Sequence, residues 1–319
     1  MSAAPNGILL VDKPQGITSH DVVARVRRAL GTKKVGHAGT LDPMATGLLI
    51  LGVGPSTRLL THLVGLDKEY FATIRLGAAT TTDDAEGEVL SPREGSAPFD
   101  SLRSLAGPGG DERIEAGIAA LTGDILQRPS SVSAIKVDGQ RAYDLVRAGE
   151  EVELQARPVT VGAFEVISRR GPFDSPSARS GGQVLDLDVR VECSSGTYIR
   201  ALARDLGEGL GTGGHLTALR RTKVGPFDVD AAVPVPDWVE RGATPPEPPE
   251  LLAPAAVAAR LFPVLELDDQ GAADLANGKR VHTDHLDAET VAAVAPDGRL
   301  IGLVAVRHGA TRVLTNFPV

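Results

Sequence analysis

The segment most suited to chemistry is Gly36-His37-Ala38-Gly39-Thr40-Leu41-Asp42-Pro43-Met44-Ala45-Thr46-Gly47, which presents one carboxylate in a glycine-rich setting. Gly36, Gly39 and Gly47 permit backbone conformations or close approaches closed to other residues, and Pro43 restricts both itself and the preceding Asp42. A carboxylate held in this way can serve as a nucleophile or as a base. An Asp in a tight turn can equally do no more than satisfy neighbouring amides, and local physics leaves both readings open. Other chemistry-bearing residues are less constrained. His20, His215, His282, His285 and His308 show no spacing that demands chemistry; His282 and His285 are three apart but lack further ligands, so no metal site is expected. Gly52-Val53-Gly54-Pro55-Ser56-Thr57 has the small residues of a phosphate-cradling loop but not its Lys, which makes a nucleotide enzyme a weak alternative.

The elements that must position Asp42 can be read on either side of it. Gly7 to Val11 is expected as a buried strand and Lys13-Pro14-Gln15-Gly16 as a turn. A helix follows, capped by Thr18 or Ser19, with Val22, Val23, Val26 and Leu30 as its apolar stripe and Gly31 at its end. Val35 to Gly47 reads as neither helical nor alternating, whereas Leu48 to Val53 and Lys68 to Leu76 read as strands. Leu185, Leu187, Val189, Val191 and Cys193 alternate with Asp186, Asp188, Arg190 and Glu192, which predicts a strand with one buried face and directs Cys193 inward as a small core residue. Ser194-Ser195-Gly196 makes a turn, and Thr197 is expected to cap a helix running toward Leu210. Near the C-terminus, Val291 to Ala295 and Leu300 to Val306 are joined across Asp297-Gly298, a hairpin signal, with a further strand near Arg312.

Composition sets outer bounds. The 319 residues are 42% hydrophobic and 23% charged, enough for a substantial core and for two domains. Only 3% are aromatic, with three Tyr, so Val, Leu, Ile and Ala must build the interior. A single cysteine excludes an internal disulfide or a multi-thiolate zinc site. No apolar run reaches the roughly 20 residues of a membrane span, and the first residues lack the pattern of a secretory signal, so a cytoplasmic location is expected. The net charge of −8 argues against indiscriminate binding to polyanions. Charge is uneven, however: Met1 to Leu60 carries seven basic residues (Lys13, Arg25, Arg27, Arg28, Lys33, Lys34, Arg58) against three acidic ones (Asp12, Asp21, Asp42).

His37 to Pro43 closely resembles the signature loop of the TruB-type pseudouridine synthases, His-x-Gly-x-Leu-Asp-Pro with a catalytic Asp. Leu10-Val11-Asp12-Lys13-Pro14-Gln15-Gly16-Ile17-Thr18-Ser19 is similar to that family's opening motif. So, in order, are Asp67-Lys68-Glu69-Tyr70, Thr82-Asp83-Asp84-Ala85-Glu86-Gly87, Ser195-Gly196-Thr197-Tyr198-Ile199-Arg200 and Leu219-Arg220-Arg221. Several motifs in the right order are far more specific than a lone Leu-Asp-Pro. The resemblance implies Asp42 as catalytic residue, Tyr70 stacking on the base, Arg200 as the carboxylate's ionic partner, Tyr198 and Leu219 as pocket walls, and His37 touching the extruded RNA loop. A paired uridine must be flipped out to reach such a pocket. Asp42 would have to be ionised, as nucleophile toward base or sugar or as a base, and a neighbouring guanidinium favours that form. Lys13, Arg25, Arg28, Lys33, Arg220, Arg221 and Lys223 are candidates for contacts with phosphates.

The implied fold is α+β: a pseudouridine synthase domain over 1–240, with a large mixed, mainly antiparallel sheet, packed helices and an RNA-gripping thumb insertion at about 127–159. A linker over 241–259 and a small β-barrel-like module at 260–319, similar to a PUA domain, complete it. Polar stretches near 90–111 and 170–182 read as surface insertions. The implied activity is guide-independent isomerisation of uridine to pseudouridine at position 55 in the TΨC loop of transfer RNA. It needs no cofactor, no metal, no membrane and no obligatory protein partner, and a monomer is expected. Two alternatives stand beside it: a guide-RNA-dependent synthase of the dyskerin type, and a non-catalytic transfer-RNA chaperone in which the Asp loop is structural.

Overall fold

The computed structural model describes residues 4–90, 98–105, 107, 109–130, 136–137, 140–141, 154–171, 184–237 and 248–317. Much of the expected thumb, parts of the two polar insertions and part of the linker lie outside the described residues.

In chain order the elements begin with β1 (Gly7–Lys13), α1 (Ser19–Ala29), β2 (Val35–Ala38), β3 (Thr46–Val53), a 3-10 turn (Gly54–Leu59) and α2 (Leu60–Val64). There follow β4 (Lys68–Leu76), α3 (Pro98–Leu105), α4 (Gly110–Ala120), β5 (Gly123–Gln127), β6 (Lys136–Val137), β7 (Gln140–Arg141), β8 (Arg157–Arg170) and β9 (Leu185–Cys193). The remainder is α5 (Ile199–Gly209), β10 (Gly214–Val224), β11 (Phe227–Asp228), β12 (Val233–Pro234), α6 (Pro254–Ala259), β13 (Val264–Glu266), α7 (Asp269–Ala276), β14 (Ala288–Val294), β15 (Leu300–Arg307) and β16 (Ala310–Asn316). The fold is α+β with a large mixed sheet and a second, smaller one, and the chain forms two compact units, Met1–Gly65 with Lys223–Val319, and Leu66–Thr222.

In the first unit β1 lies antiparallel to β3, from Gly7 opposite Val53 to Lys13 opposite Gly47, and parallel to β12 on its other side. The strand reading of 48–53 holds because Leu48, Leu49, Ile50 and Leu51 are all fully buried, the pattern of a strand covered on both faces. One expectation fails here. Val35 to Ala38, read as irregular, is strand β2, paired with β3 from Val35 opposite Val53 to Ala38 opposite Ile50. Four residues are too few to show a period, and only the partner strand fixes them.

The C-terminal part of this unit is a four-stranded sheet in the order β13-β14-β15-β16. Its core joins Leu265, Leu267, Ala272, Leu275, Val291, Ala293, Ile301, Val304 and Val306. The Asp297-Gly298 turn has Gly298 at φ +81°, a conformation that favours glycine. The chain enters along β1, where Leu252 exchanges both backbone hydrogen bonds with Ile8, at 2.8 and 3.0 Å. Phe262 stands edge-on to His62, and the Arg260 guanidinium lies 5.4 Å from the centre of the Phe227 ring.

In the second unit the sheet runs β10-β4-β9-β8-β5. β4 and β9 pair without a break from Lys68 opposite Cys193 to Leu76 opposite Leu185. One face buries Tyr70, Ala72, Ile74, Leu187, Val189 and Val191. The other face is a lattice of charge. The Arg75 guanidinium donates twice to Asp186, at 2.8 Å each, and Arg170 donates twice to Asp188, at 2.6 and 2.9 Å. Arg190 reaches Glu69 at 2.8 Å and Glu165 at 3.1 Å, and also pairs with Glu192. Cys193 is buried as expected, and burial pushes its thiol up to about 11.

Candidate active site

Asp42 is held by its neighbours' backbone. Thr18 caps α1 in a reciprocal box with Asp21, at 3.1 Å from the Asp21 amide to the Thr18 hydroxyl and 2.8 Å from the Thr18 amide to the Asp21 carboxylate. That cap turns Ser19 inward, where its buried hydroxyl accepts from the Leu41 amide at 2.9 Å and donates to the Leu41 carbonyl at 3.1 Å. On the other side, the Pro43 carbonyl accepts from the Gly16 amide at 2.8 Å and from the Lys13 ammonium at 3.3 Å. The Ala45 amide closes a turn on the Asp42 carbonyl at 3.0 Å. Gly39 and Gly47, at φ +85° and +101°, bring the chain in and out of this turn. Residues 41 and 43 are thus pinned while Asp42 is only half-buried.

His37 lies on β2 rather than in the loop, and its ring stands edge-to-face with that of His20 on α1, centroids 5.7 Å apart. No spacing along the chain links these two; the packing of α1 against β2 makes the pair. The weak phosphate-loop alternative is contradicted: the Ser56 amide and hydroxyl, which would face an anion, are both taken by the Asn6 side chain at 3.0 and 2.7 Å.

Arg200, Tyr198, Tyr70 and Leu219 belong to the second unit. Arg200 is the second residue of α5 and is 4% exposed; it donates to the Thr82 carbonyl at 2.9 Å and pairs with Asp84 at 3.4 Å. Asp84 is itself fixed, accepting from the Thr82 hydroxyl at 2.5 Å and the Glu86 amide at 3.0 Å. Next to it Asp83 takes the left-handed region at φ +60° and pairs with Arg204 at 3.2 Å. Burial pushes the Asp83 carboxyl above the usual carboxylate range, against the pull of the Ser130 hydroxyl, Arg204 and Arg200. Asp83 and Asp84 belong to the Thr82-Asp83-Asp84-Ala85-Glu86-Gly87 motif, whose residue types alone assign neither a task. A cation at a helix N-terminus gains nothing from the helix dipole, so these carboxylates answer why Arg200 is tolerated there.

Thr197 does not cap α5. Its hydroxyl donates to the Ser194 carbonyl at 3.0 Å, and the cap position is Tyr198, which has no side-chain cap bond. Instead the buried Gln127 amide grips the Tyr198 backbone, donating to its carbonyl at 3.1 Å and accepting from its amide at 2.8 Å. Tyr70 is buried on β4 opposite Val191, and Leu219 is buried on β10. Lys68 lies two residues before Tyr70; burial and the nearby Arg221 bring its ammonium down to about 8.

The expected phosphate-binding cations divide in two. Arg25, Arg28 and Arg220 are half-buried, while Lys33 and Lys223 are exposed, Lys223 standing 3.9 Å from Asp228. Lys13 and Arg221 are corrections, since both are buried at 0% and 2% exposure and present no charge to solvent. For Lys13 the reason is visible: the bends after β1 and at Pro43 aim the carbonyls of Pro14, Ile17 and Pro43 at its ammonium, at 3.1, 2.8 and 3.3 Å. Among the described residues no group of three or more His, Cys, Asp or Glu could hold a metal ion, and no helix is long and apolar enough to cross a membrane.

Comparison with known proteins adds to this geometry. A family model described as TruB family pseudouridylate synthase (N terminal domain) matches residues 27–199. Models described as tRNA pseudouridylate synthase B C-terminal domain and tRNA Pseudouridine synthase II, C terminal, match 200–240 and 262–318. The chain is 56% identical over 322 residues to tRNA pseudouridine synthase B of Leifsonia xyli subsp. xyli, covering 100% of this chain and 98% of the relative. It is 51% identical to tRNA pseudouridine synthase B of Arthrobacter sp. strain FB24, covering 98% and 96%. Among solved structures, a Cbf5-Nop10-Gar1 complex aligns with TM-score 0.65 at 24% identity, and an H/ACA RNP bound to a substrate RNA containing 2′-deoxyuridine with TM-score 0.63 at 23%; each covers 98% of this chain and 85% of the other. At such identities the likeness is one of fold.

Proposed function

This chain belongs to the TruB family of pseudouridylate synthases, and we propose on that basis that it isomerises uridine to pseudouridine in transfer RNA without a guide, at position 55 of the TΨC loop. In this reaction the bond from N1 to the ribose C1′ breaks, C5 joins C1′, C5 gives up a proton and N1 takes one up. Atoms and electrons balance within the nucleoside. Asp42 is assigned as the catalytic carboxylate, Arg200 as its ionic partner, Tyr70 as the stacking surface, and Tyr198 and Leu219 as pocket walls. A flipped base gives up roughly a few kcal/mol of stacking, which a buried aromatic face can return.

The observation that carries the reading is the double anchoring of the Asp42 turn, with Leu41 held by Ser19 and Pro43 held by Gly16 and Lys13. A reacting group whose flanks are fixed needs little reorganisation when the substrate arrives. His37, Arg25, Arg28, Lys33, Arg220 and Lys223 are assigned to the RNA, positioning it through phosphates and loop nucleotides. The 260–319 module is assigned to RNA as a PUA-like domain. The enzyme is taken to act as a monomer in the cytoplasm, without a protein partner.

The test uses purified chain and one unmodified transfer RNA labelled with tritium at uridine C5. Tritium release by the bare chain, with one pseudouridine mapped at position 55, is the expected result, and Asp42→Asn is expected to stop release while leaving transfer-RNA affinity within about twofold. Undiminished release by Asp42→Asn would remove Asp42 from the chemistry. Activity that appears only with added guide RNA would move the chain to the dyskerin type of mechanism.

A further inference from the structure

We propose that Gln127 is a positioning residue for the reaction, acting through the backbone of Tyr198 to set the register of α5 and hence the placement of the Arg200 guanidinium. The inference rests on the reading above, in which Tyr198 and Arg200 belong to the reaction pocket.

A helix N-terminus leaves four amide groups without intrahelical partners, and a side-chain cap normally takes one of them. α5 has none: its cap residue Tyr198 is extended, at φ −101° and ψ 109°, with no side-chain bond to the first turn. Gln127, at the end of β5 and 1% exposed, offers that residue the same donor and acceptor pair that a neighbouring strand would, at 3.1 and 2.8 Å. Six residues further along from Tyr198, Arg204 donates to the carbonyl of Arg128 at 2.7 Å and to Asp83 at 3.2 Å. The consecutive residues 127 and 128 therefore hold α5 at two points, and Arg200 lies between them. From the loop that carries Asp83, Thr82 and Asp84 meet Arg200 directly. The Gln127 amide is buried and the Tyr198 backbone half-buried, so water replaces these bonds poorly when one partner is lost.

Two substitutions test this. Gln127→Met keeps length and apolar packing but leaves the Tyr198 amide and carbonyl without that partner. Its single-turnover rate is expected to fall about ten- to a hundredfold, the scale of a misplacement near 1 Å, with transfer-RNA affinity held within about twofold. Gln127→Glu keeps the acceptor and loses the donor while its carboxyl is ionised; protonation restores an O–H that can donate to the Tyr198 carbonyl. Burial raises the pKa of such a carboxyl, so the rate of Gln127→Glu relative to the unaltered chain is expected to climb as pH falls from about 8 to about 6. A packing role alone would give no such climb. A Gln127→Met rate within about twofold of the unaltered chain, or a flat pH ratio for Gln127→Glu, overturns the proposal; if Gln127→Met fails to fold, the pH ratio decides alone. Loss of activity in Asp42→Asn alongside a normal Gln127→Met would leave the functional reading standing and remove only this inference.

Discussion

Ser19 and Leu41, 22 positions apart in the chain, share a reciprocal pair of hydrogen bonds in which one hydroxyl serves both the amide and the carbonyl of the residue before Asp42. The helix cap and the Asp42 turn are therefore one construction: Thr18 starts α1, and the first residue of α1 fixes the turn.

Ser19→Ala is expected to destabilise the fold by about 1–3 kcal/mol, since it leaves a buried amide and carbonyl without this partner. Activity should fall further than transfer-RNA affinity. Urea unfolding and single-turnover tritium release measure the two effects, and an unchanged unfolding midpoint would refute the anchoring role.

Lys13→Met removes an ammonium that serves three carbonyls. A loss of about 1.5–3 kcal/mol is expected from removing charge-assisted hydrogen bonds to these part-buried carbonyls. Because Lys13 is fully buried, the salt dependence of transfer-RNA binding should keep its slope, whereas loss of a phosphate contact would lower it by about one. A lowered slope would return Lys13 to the RNA interface.

Lys68 and Cys193 face each other across β4 and β9 and give stability opposite pH dependences. The Lys68 ammonium titrates at about 8 in the fold against 10.5 in the open chain. Between those values the unfolded state binds more protons, so stability rises with pH from about 8. The Cys193 thiol is raised from 9.0 to about 11, so above pH 9 the folded state holds the extra proton and this contribution falls. Net stability should therefore climb between about pH 8 and 9 and flatten above. Lys68→Met should abolish the climb; a climb that persists in denaturant titrations of that variant would count against Lys68 as its source.

Gly207→Ala should lower the melting temperature although Ala favours a helix by about 1 kcal/mol. A Cβ at this position in α5 would lie 2.2 Å from the Gly214 nitrogen and 2.3 Å from the Gly213 carbonyl carbon. Backbone cannot rotate aside as a flexible side chain does, so overpacking of at least about 1–3 kcal/mol is expected. Calorimetry showing a higher melting temperature would contradict the close approach.

Elements whose signal is local were legible in the sequence. The run Lys68–Leu76, the capped helix after Thr18 and the hairpin across Gly298 all carry their own period or turn residue, and each is found where expected. Elements defined by a partner were not. β2 needed β3 to reveal it, and Thr197, a good cap by type, gave that position to Tyr198 because Gln127 reaches across from another strand. Of the site, the Asp42 loop and Arg200 stood out by motif, but the motif could not say that Lys13 and Arg221 are buried. Burial of a cation depends on carbonyls and charges assembled by distant segments, which leave no trace in composition.

The ion-pair lattice on β4, β8 and β9 bears on a tension between the formal charge of −8 and an RNA substrate. Asp186, Asp188 and Glu69 each have an Arg within 2.8 Å. Their fields are largely cancelled at short range, so at distances beyond a Debye length, about 8 Å in physiological salt, they add little to what an oncoming polyanion experiences. These pairs already cancel within the formal sum and leave it at −8, so the attraction an RNA experiences must come locally, from solvent-facing cations such as Lys33.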